Sequence, residues 1–436
     1  MPSRNPIKWM PVFTLVFLSL SAVAAPNPMQ IDAVFADYDS TRTPGCSMAV
    51  YKNGEIAYAR GYGMANLEYG IANGPNTVFR IGSTSKQFTA MAIALLAEQG
   101  KLSLDDDIRK FFPQMPDYGA PVTVRQLVHH TSGIRDYLAL AWMADWSELY
   151  SIEEAVGIIT AQKALNFAPN SDHLYSNAGY FLMSQIVEIV TGQSLREWAE
   201  ENMFAPLGMA NTHFHDDHSH IVPNRADGYA DGDAGQFRIS MTQLDMVGDG
   251  GIYTTVSDML QWDRNFYKNR LGKGDPALIE LVTTPGVLDD GEVIDYAFGL
   301  GVGEFQGTPE ISHGGAFVGY RAGYNFYPDH RLGVAVFCNY ANTNPTGLAR
   351  QVAGLYLEKD AEEAADAGGE EASPTDAILK VSSAELERFV GDFWDADNLA
   401  SRSIAVDEGS LWYVRGGGNR TRLDPIGDDQ FLMADV

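Results

Sequence analysis

The 436-residue chain predicts an α+β fold in which strands from both ends of one large domain share a sheet and the middle supplies helices. Three observations carry this. A strand-like run begins at Cys46, turns at Asn53-Gly54 and returns through Glu55–Arg60. A second hairpin pattern lies far along the chain, at Arg321–Tyr327 and Leu332–Cys338, turning at Pro328-Asp329-His330. The stretch between them is mostly helical in pattern.

Residues 1–24 read as an export signal. Arg4 and Lys8 form a basic start, Trp9 to Leu20 is mostly apolar, and Ala22-Val23-Ala24 gives the small-x-small pattern of a cleavage site. A cut after Ala24 is expected, because a cut after Ala25 would place Pro26 beside the scissile bond. The apolar run is short for a membrane span, no cysteine stands at the cut, and no second stretch is long enough to cross a membrane. A periplasmic or secreted protein without a stable membrane anchor is therefore expected. The formal net charge of -27 repels phosphate backbones and argues against nucleic-acid binding. The two cysteines, Cys46 and Cys338, lie in strand-like segments at opposite ends of the core. They can pair across neighbouring strands or stay as buried thiols.

Within the main domain, residues 25–357, the Asn53-Gly54 dipeptide calls for a type I′ turn. Gln87–Gln99 is strongly apolar and reads as a buried helix stopped at Gly100. Ala178–Val190 and Ser194–Met203 read as further helices separated by Thr191-Gly192. Phe298–Phe305 and Glu310–Phe317 read as strands. Residues 358–380 are rich in Glu, Asp, Ala and Gly and read as an acidic, disordered linker. Residues 381–436 return to short strand patterns and read as a small β module, short enough to be truncated.

The chemistry centres on Ser83-Thr84-Ser85-Lys86, the one Ser-x-x-Lys in the chain. It opens the apolar helix, so Ser83 and Lys86 share a helix face one turn apart. The helix start places free N–H groups and positive potential beside the serine, which favours an alkoxide and an oxyanion. That field and burial both lower the lysine pKa toward a value useful to a base. A lysine in the first turn also opposes the helix dipole, which counts against a merely solvated side chain. A proton relay is sought in Tyr-x-Asn. The pattern occurs at Tyr51, Tyr175, Tyr267 and Tyr340, and only Tyr175-Ser176-Asn177 lies in a loop before an apolar helix, where side chains can face a cleft. His313-Gly314-Gly315 supplies a strand whose glycines admit a substrate backbone. The N–H groups of Ala316 and Ser83 can pair as an oxyanion hole.

Taken together, Ser83-x-x-Lys86, Tyr175-x-Asn177 and His313-Gly314-Gly315 resemble, in order and spacing, the β-lactamase-related serine hydrolases. That family includes class C β-lactamases, D,D-carboxypeptidases, D-aminopeptidases and esterases. Leu127–Gly133, Tyr175–Tyr180, Pro206–Met209 and Gly250–Thr255 are similar to the same family, and the resemblance spans roughly residues 30–357. It implies a β-lactamase/transpeptidase-like fold: a five-stranded antiparallel sheet flanked by helices, with an all-helical subdomain and the site between them. The tail from about residue 381 is similar to the start of a β module appended to some D-aminopeptidase relatives.

Carried onto this chain, the resemblance makes Ser83 the acyl-accepting nucleophile, with Lys86 and Tyr175 sharing the acid and base work. Asn177 would hold a substrate amide, His313, Gly314 and Gly315 would line the substrate strand, and the backbone N–H groups of Ser83 and Ala316 would hold the oxyanion. No cofactor or metal is implied. The departure is His313, where class C β-lactamases carry a lysine that helps to hold the drug's carboxylate. Histidine is mostly neutral near pH 7 and attracts a carboxylate less. The reading is thus an exported hydrolase of small-molecule or peptide amides or esters, with D-amino-acid or peptidoglycan-derived substrates in view. Alternatives are a class C-like β-lactamase and a non-catalytic peptidoglycan-binding relative.

The segment Thr212–His220 holds four of the nine histidines. It reads as an exposed loop and is not expected to hold a native metal. His129 and His130 are expected to make structural hydrogen bonds, and Trp262 is expected to be core.

Overall fold

The computed structural model describes residues 26–138, 151–367, 386–395, 400–407, 410–414, 420–425 and 431–433. The expected export signal lies outside them. The main sheet has six antiparallel strands: β1 (Cys46–Lys52), β2 (Glu55–Tyr62), β3 (Gly301–Phe305), β4 (Thr308–Phe317), β5 (Tyr320–Tyr327) and β6 (Leu332–Cys338). Their spatial order is β3-β4-β5-β6-β1-β2. The first hairpin thus joins the last strand, with Cys46 opposite Cys338 and Lys52 opposite Leu332. Cys46 and Cys338 form a disulfide across that junction, linking residues 292 apart in sequence.

Six strands are one more than the resemblance implies. The extra strand is β3, which a tight turn at Gln306 (φ 51°) and Gly307 (φ 73°) folds back onto β4. It pairs only as far as Ser312. His313 to Phe317 therefore carry no strand on the outer side of β4 among the described residues. At the first hairpin, Asn53 and Gly54 both take positive φ, as a type I′ turn demands.

Side chains alternate across the sheet and feed two cores. Ala49, Tyr51, Tyr324, Ala335 and Phe337 face one. Met48, Val50, Tyr62, Val334 and Val336 face the other. On the first side lie α1 (Lys86–Glu98), α2 (Asn177–Thr191) and α3 (Val256–Asn265). α1 is buried from Lys86 to Leu96, as an all-round apolar sequence requires, and packs against α2. On the second side, α4 (Pro345–Ala367) covers β5 and β6.

Two sequence expectations need correction here. The acidic segment from Glu358 does not begin as a disordered linker, because α4 continues through it to Ala367. Its Ala and Glu residues are strong helix formers, and an already formed helix needs no new nucleus to extend through them. The expected helix over Ser194–Met203 is α-helical only at Leu195–Ala199, then widens into a π turn at Glu200–Phe204. Toward the C-terminus, five short strands from Gly391–Asp395 to Phe431–Met433 pair in sequence order, with Leu386, Leu411 and Leu423 as a small core. Among the described residues, no helix is long and apolar enough to cross a membrane.

Candidate active site

The chain enters the site through the short strand Phe79–Arg80 and makes one 3-10 turn at Gly82–Ser85 before α1 begins at Lys86. Two glycines let β4 lie against this turn. Gly82 takes φ +52°, and a Cβ there would come within 2.8 Å of the Ala316 nitrogen. A Cβ on Gly315 would reach 1.9 Å from the Ile81 carbonyl oxygen. The Thr84 hydroxyl adds a hydrogen bond to the His313 carbonyl at 3.2 Å. Nucleophile turn and strand are thereby fixed to each other by backbone contact.

Lys86 is completely buried, and all three of its ammonium hydrogens have acceptors. Nζ donates to Ser83 Oγ at 3.3 Å, Asn177 Oδ1 at 2.8 Å and the Asp249 carbonyl oxygen at 2.5 Å. Burial pulls its pKa from 10.5 down to about 8, while the Asp249 and Asp136 carboxylates push the other way. Desolvation outweighs two nearby anions. Asp249 is itself held above the ordinary carboxylate range by burial, opposed by Lys86 and by the Tyr137 hydroxyl, which donates to Oδ2 at 3.0 Å. Asp136 Oδ2 accepts from Asn177 Nδ2 at 2.7 Å and from its backbone N–H at 3.3 Å. Asn177 is thus bound at both ends of its amide, and one Nδ2 hydrogen is left for anything else.

Tyr175 stands at the cleft mouth, 37% exposed, with its ring centroid 4.7 Å from Lys86 Nζ. Burial of the phenol raises its pKa, and a hydrogen bond with the Ser83 side chain works against that rise. Behind it lies His130, fully buried and strained at φ 58°. His130 Nδ1 accepts the Ser176 N–H at 3.1 Å, and its ring sits 4.4 Å from that of Tyr175. His129 makes a backbone contact to the Tyr296 carbonyl at 3.3 Å. Both histidines therefore make the structural hydrogen bonds expected of them.

His313 is held down to about 4 by burial first and by the Lys86 charge second. Its ring is neutral near pH 7. Ser83, Tyr175, His313, Gly314, Gly315 and Ala316 line one cleft of about 440 Å³. Every residue singled out from the sequence for catalysis or binding thus meets at one place. The other Tyr-x-Asn copies lie elsewhere. The Tyr51 hydroxyl bonds the Val256 carbonyl, and Tyr340 with Asn342 binds Asp231.

The Beta-lactamase family matches residues 31–359. The chain belongs to that family. It is 30% identical over 312 residues to a D-aminopeptidase of Gluconobacter oxydans, covering 71% of this chain and 58% of that protein. It therefore spans under two thirds of that relative's length. It is 28% identical over 408 residues to penicillin-binding protein 4* of Bacillus subtilis, covering 88% and 86% of the two chains. Among solved structures, the octameric penicillin-binding protein homologue from Pyrococcus abyssi superposes with a TM-score of 0.68 at 26% identity over 91% of this chain and 89% of that one. A penicillin-binding protein from Bacillus halodurans gives 0.63 at 25% identity, over 75% and 98%. The fold is thus β-lactamase/transpeptidase-like.

Sequence reasoning missed several residues of this family site: Asp136, Tyr137, Asp249 and Tyr296. Asp249 immediately precedes the Gly250-Gly251 pair of a family-like stretch, and Asp136 lies three residues past Gly133 of another. Only that adjacency marks them. Trp262 is core, as expected, with its indole N–H donated to Gln87 Oε1 at 2.5 Å. The histidine-rich segment is not the exposed loop expected. His213–Phe214 is a strand paired with Ile252–Tyr253, and His215 is 2% exposed. Pairing turns His213 and His215 inward onto Tyr253. Among the described residues, no group of three or more metal-ligating side chains is placed to hold a metal ion.

Proposed function

We propose that Ser83 is the acyl-accepting nucleophile of an exported hydrolase of amide or ester bonds, with D-amino-acid amides and peptides as its principal substrates. The observation that carries this is the buried Lys86 amine, 3.3 Å from Ser83 Oγ and lowered to about 8. In its neutral form Lys86 takes the Ser83 proton as Oγ attacks the carbonyl carbon. The Ser83 and Ala316 N–H groups receive the oxyanion. Tyr175, hydrogen-bonded to Ser83 and beside Lys86, gives its own proton to the departing nitrogen or oxygen and takes one back from Lys86, which returns to its neutral form. Water then repeats the sequence on the acyl-enzyme and frees Ser83.

The D-aminopeptidase relative supports the amide class. A neutral His313 supports it over a β-lactam, whose carboxylate gains little from an uncharged ring. The Cys46–Cys338 disulfide supports export, since such bonds persist in oxidising compartments.

The test compares the protein and its Ser83→Ala variant on a D-alanine anilide, a short-chain ester and a cephalosporin. The anilide or the ester is expected to turn over fastest and the cephalosporin slowest. Ser83→Ala is expected to lower turnover on the order of 10³-fold or more. Undiminished turnover in the variant overturns the assignment, and a cephalosporin as the fastest substrate overturns the substrate class.

A further inference from the structure

We propose that Tyr296 locks His313 as a neutral ring with no N–H free for substrate, so that the cleft beside Ser83 selects substrates uncharged on the leaving-group side and turns away those with a carboxylate there. This rests on the acyl-transfer reading above and names the substrate class of the same site.

The lock follows from counting protons. His313 Nδ1 lies 2.5 Å from the Gly314 carbonyl oxygen, which can only accept, so Nδ1 carries the hydrogen. Neutral imidazole has one N–H, so Nε2 is bare. Nε2 lies 3.0 Å from the Tyr296 hydroxyl, which must therefore donate to it. The neighbouring Tyr180 hydroxyl, hydrogen-bonded with Tyr296, sends its own proton to the Val128 carbonyl at 2.8 Å, so the Tyr296 proton has two acceptors in reach, Tyr180 Oη and His313 Nε2. If the Tyr296 proton pointed elsewhere, two lone pairs would face each other across 3.0 Å. A hydrogen bond donated to the neutral ring opposes its protonation; burial first and the Lys86 charge second hold the His313 pKa low, against the Gly314 carbonyl, which raises it.

Tyr296 is itself anchored. It is 7% exposed, and its carbonyl oxygen takes the Gly286 N–H and the His129 contact. What it presents beside Tyr175 is a wall of rings. His313 stands 5.8 Å from Tyr296 and 6.3 Å from Tyr175, centroid to centroid. Tyr175 is the proton donor to the leaving group, so this wall adjoins the leaving-group side. Arg321 also lines the cleft, opposite Ala316 and three residues along the strand from His313, with Nη1 donated to the Val318 and Tyr320 carbonyls.

The test uses two substrates that differ only in one charge, D-alanyl-glycine and D-alanyl-glycine amide. The wild type is expected to favour the amide in kcat/KM by about tenfold, and Tyr296→Phe to shrink that ratio to about threefold or less, chiefly through KM for the free acid. Nitrogen-15 NMR of the His313 ring supplies a readout independent of activity. In the wild type at pH 7 it should show Nδ1 protonated and Nε2 bare, and in Tyr296→Phe Nε2 should take up a proton at higher pH than in the wild type, its resonance moving toward that of a protonated imidazole nitrogen. A wild-type preference for the free acid, a protonated Nε2, or an unchanged ratio in Tyr296→Phe overturns the proposal. Failure of the acyl-transfer reading would appear separately, as turnover undiminished by Ser83→Ala.

Discussion

Two groups of histidines divide this molecule instructively. Four lie in the single stretch His213–His220, where sequence alone draws the eye. Four others, His129, His130, His173 and His313, come from three separate segments and gather around Tyr175 and Tyr296. In the first group His213 and His215 bond mainly to each other, at 3.2 Å, and lie against Tyr253, His213 stacked and His215 tilted. In the second, His130 and His313 lie against Tyr175, and His129 and His173 against Tyr296. Density along the chain marked a packing cluster, whereas convergence in space marked the cleft. Both groups contain rings held neutral by burial, so charge state does not separate them. Their partners do.

Mutation can break that comparison. Replacing His130 with Gln removes the acceptor for the Ser176 N–H and the ring behind Tyr175. Turnover is expected to fall on the order of 10²-fold, because small misplacements of a catalytic group are costly. His215→Gln, by contrast, is expected to change turnover less than about threefold while costing about 1 kcal/mol of stability, typical of a buried polar substitution. Equal effects on turnover from the two changes would erase the distinction, and steady-state kinetics with denaturant midpoints will show which holds.

Acid should act on both groups alike. His129, His213 and His313 are lowered to about 4, and His215 to about 3, from 6.5. Below 6.5 the unfolded chain takes up protons that the fold refuses, so stability is present above that value and is lost as pH falls toward 4. Urea midpoints between pH 7 and 4 should drop steeply, and less steeply in His213→Gln. An unchanged slope would mean that His213 does not contribute.

A smaller effect of opposite sign belongs to Asp263, buried on α3 and raised to about 8. One carboxyl oxygen accepts from the Tyr324 hydroxyl at 3.1 Å and the other has no partner. Its contribution is fully present below pH 3.8 and is lost as pH rises to about 8. Asp263→Asn should therefore raise the urea midpoint at pH 8 and leave it nearly unchanged at pH 4. A loss of stability at pH 8 would contradict this.

The reach of the sequence differs by feature for physical reasons. Two hairpins with turn dipeptides and alternating strands were readable, and so was the long apolar run of α1, because period and turn chemistry are local. Ser83, Lys86, Tyr175, Asn177 and His313 were readable because their order and spacing resemble a known family. Asp136 and Asp249 were not, since a single carboxylate buried by folding has no periodic trace. Tyr296 was not, since its importance lies in one hydroxyl meeting one ring nitrogen. The helical stretch up to Ala367 was misread because an acidic, alanine-rich segment suits solvent and helix equally well, and the helix before it decides.

The most direct measurement of the central claim is the pH dependence of Ser83 acylation, followed as adduct mass on the peptide carrying Ser83 after brief exposure to a fluorophosphonate. A base lowered to about 8 predicts a single adduct on Ser83 whose rate of formation climbs with pH through a midpoint near that value. An adduct on another residue, or a rate flat from about pH 6 to 10, would contradict a reaction driven by the Ser83–Lys86 pair.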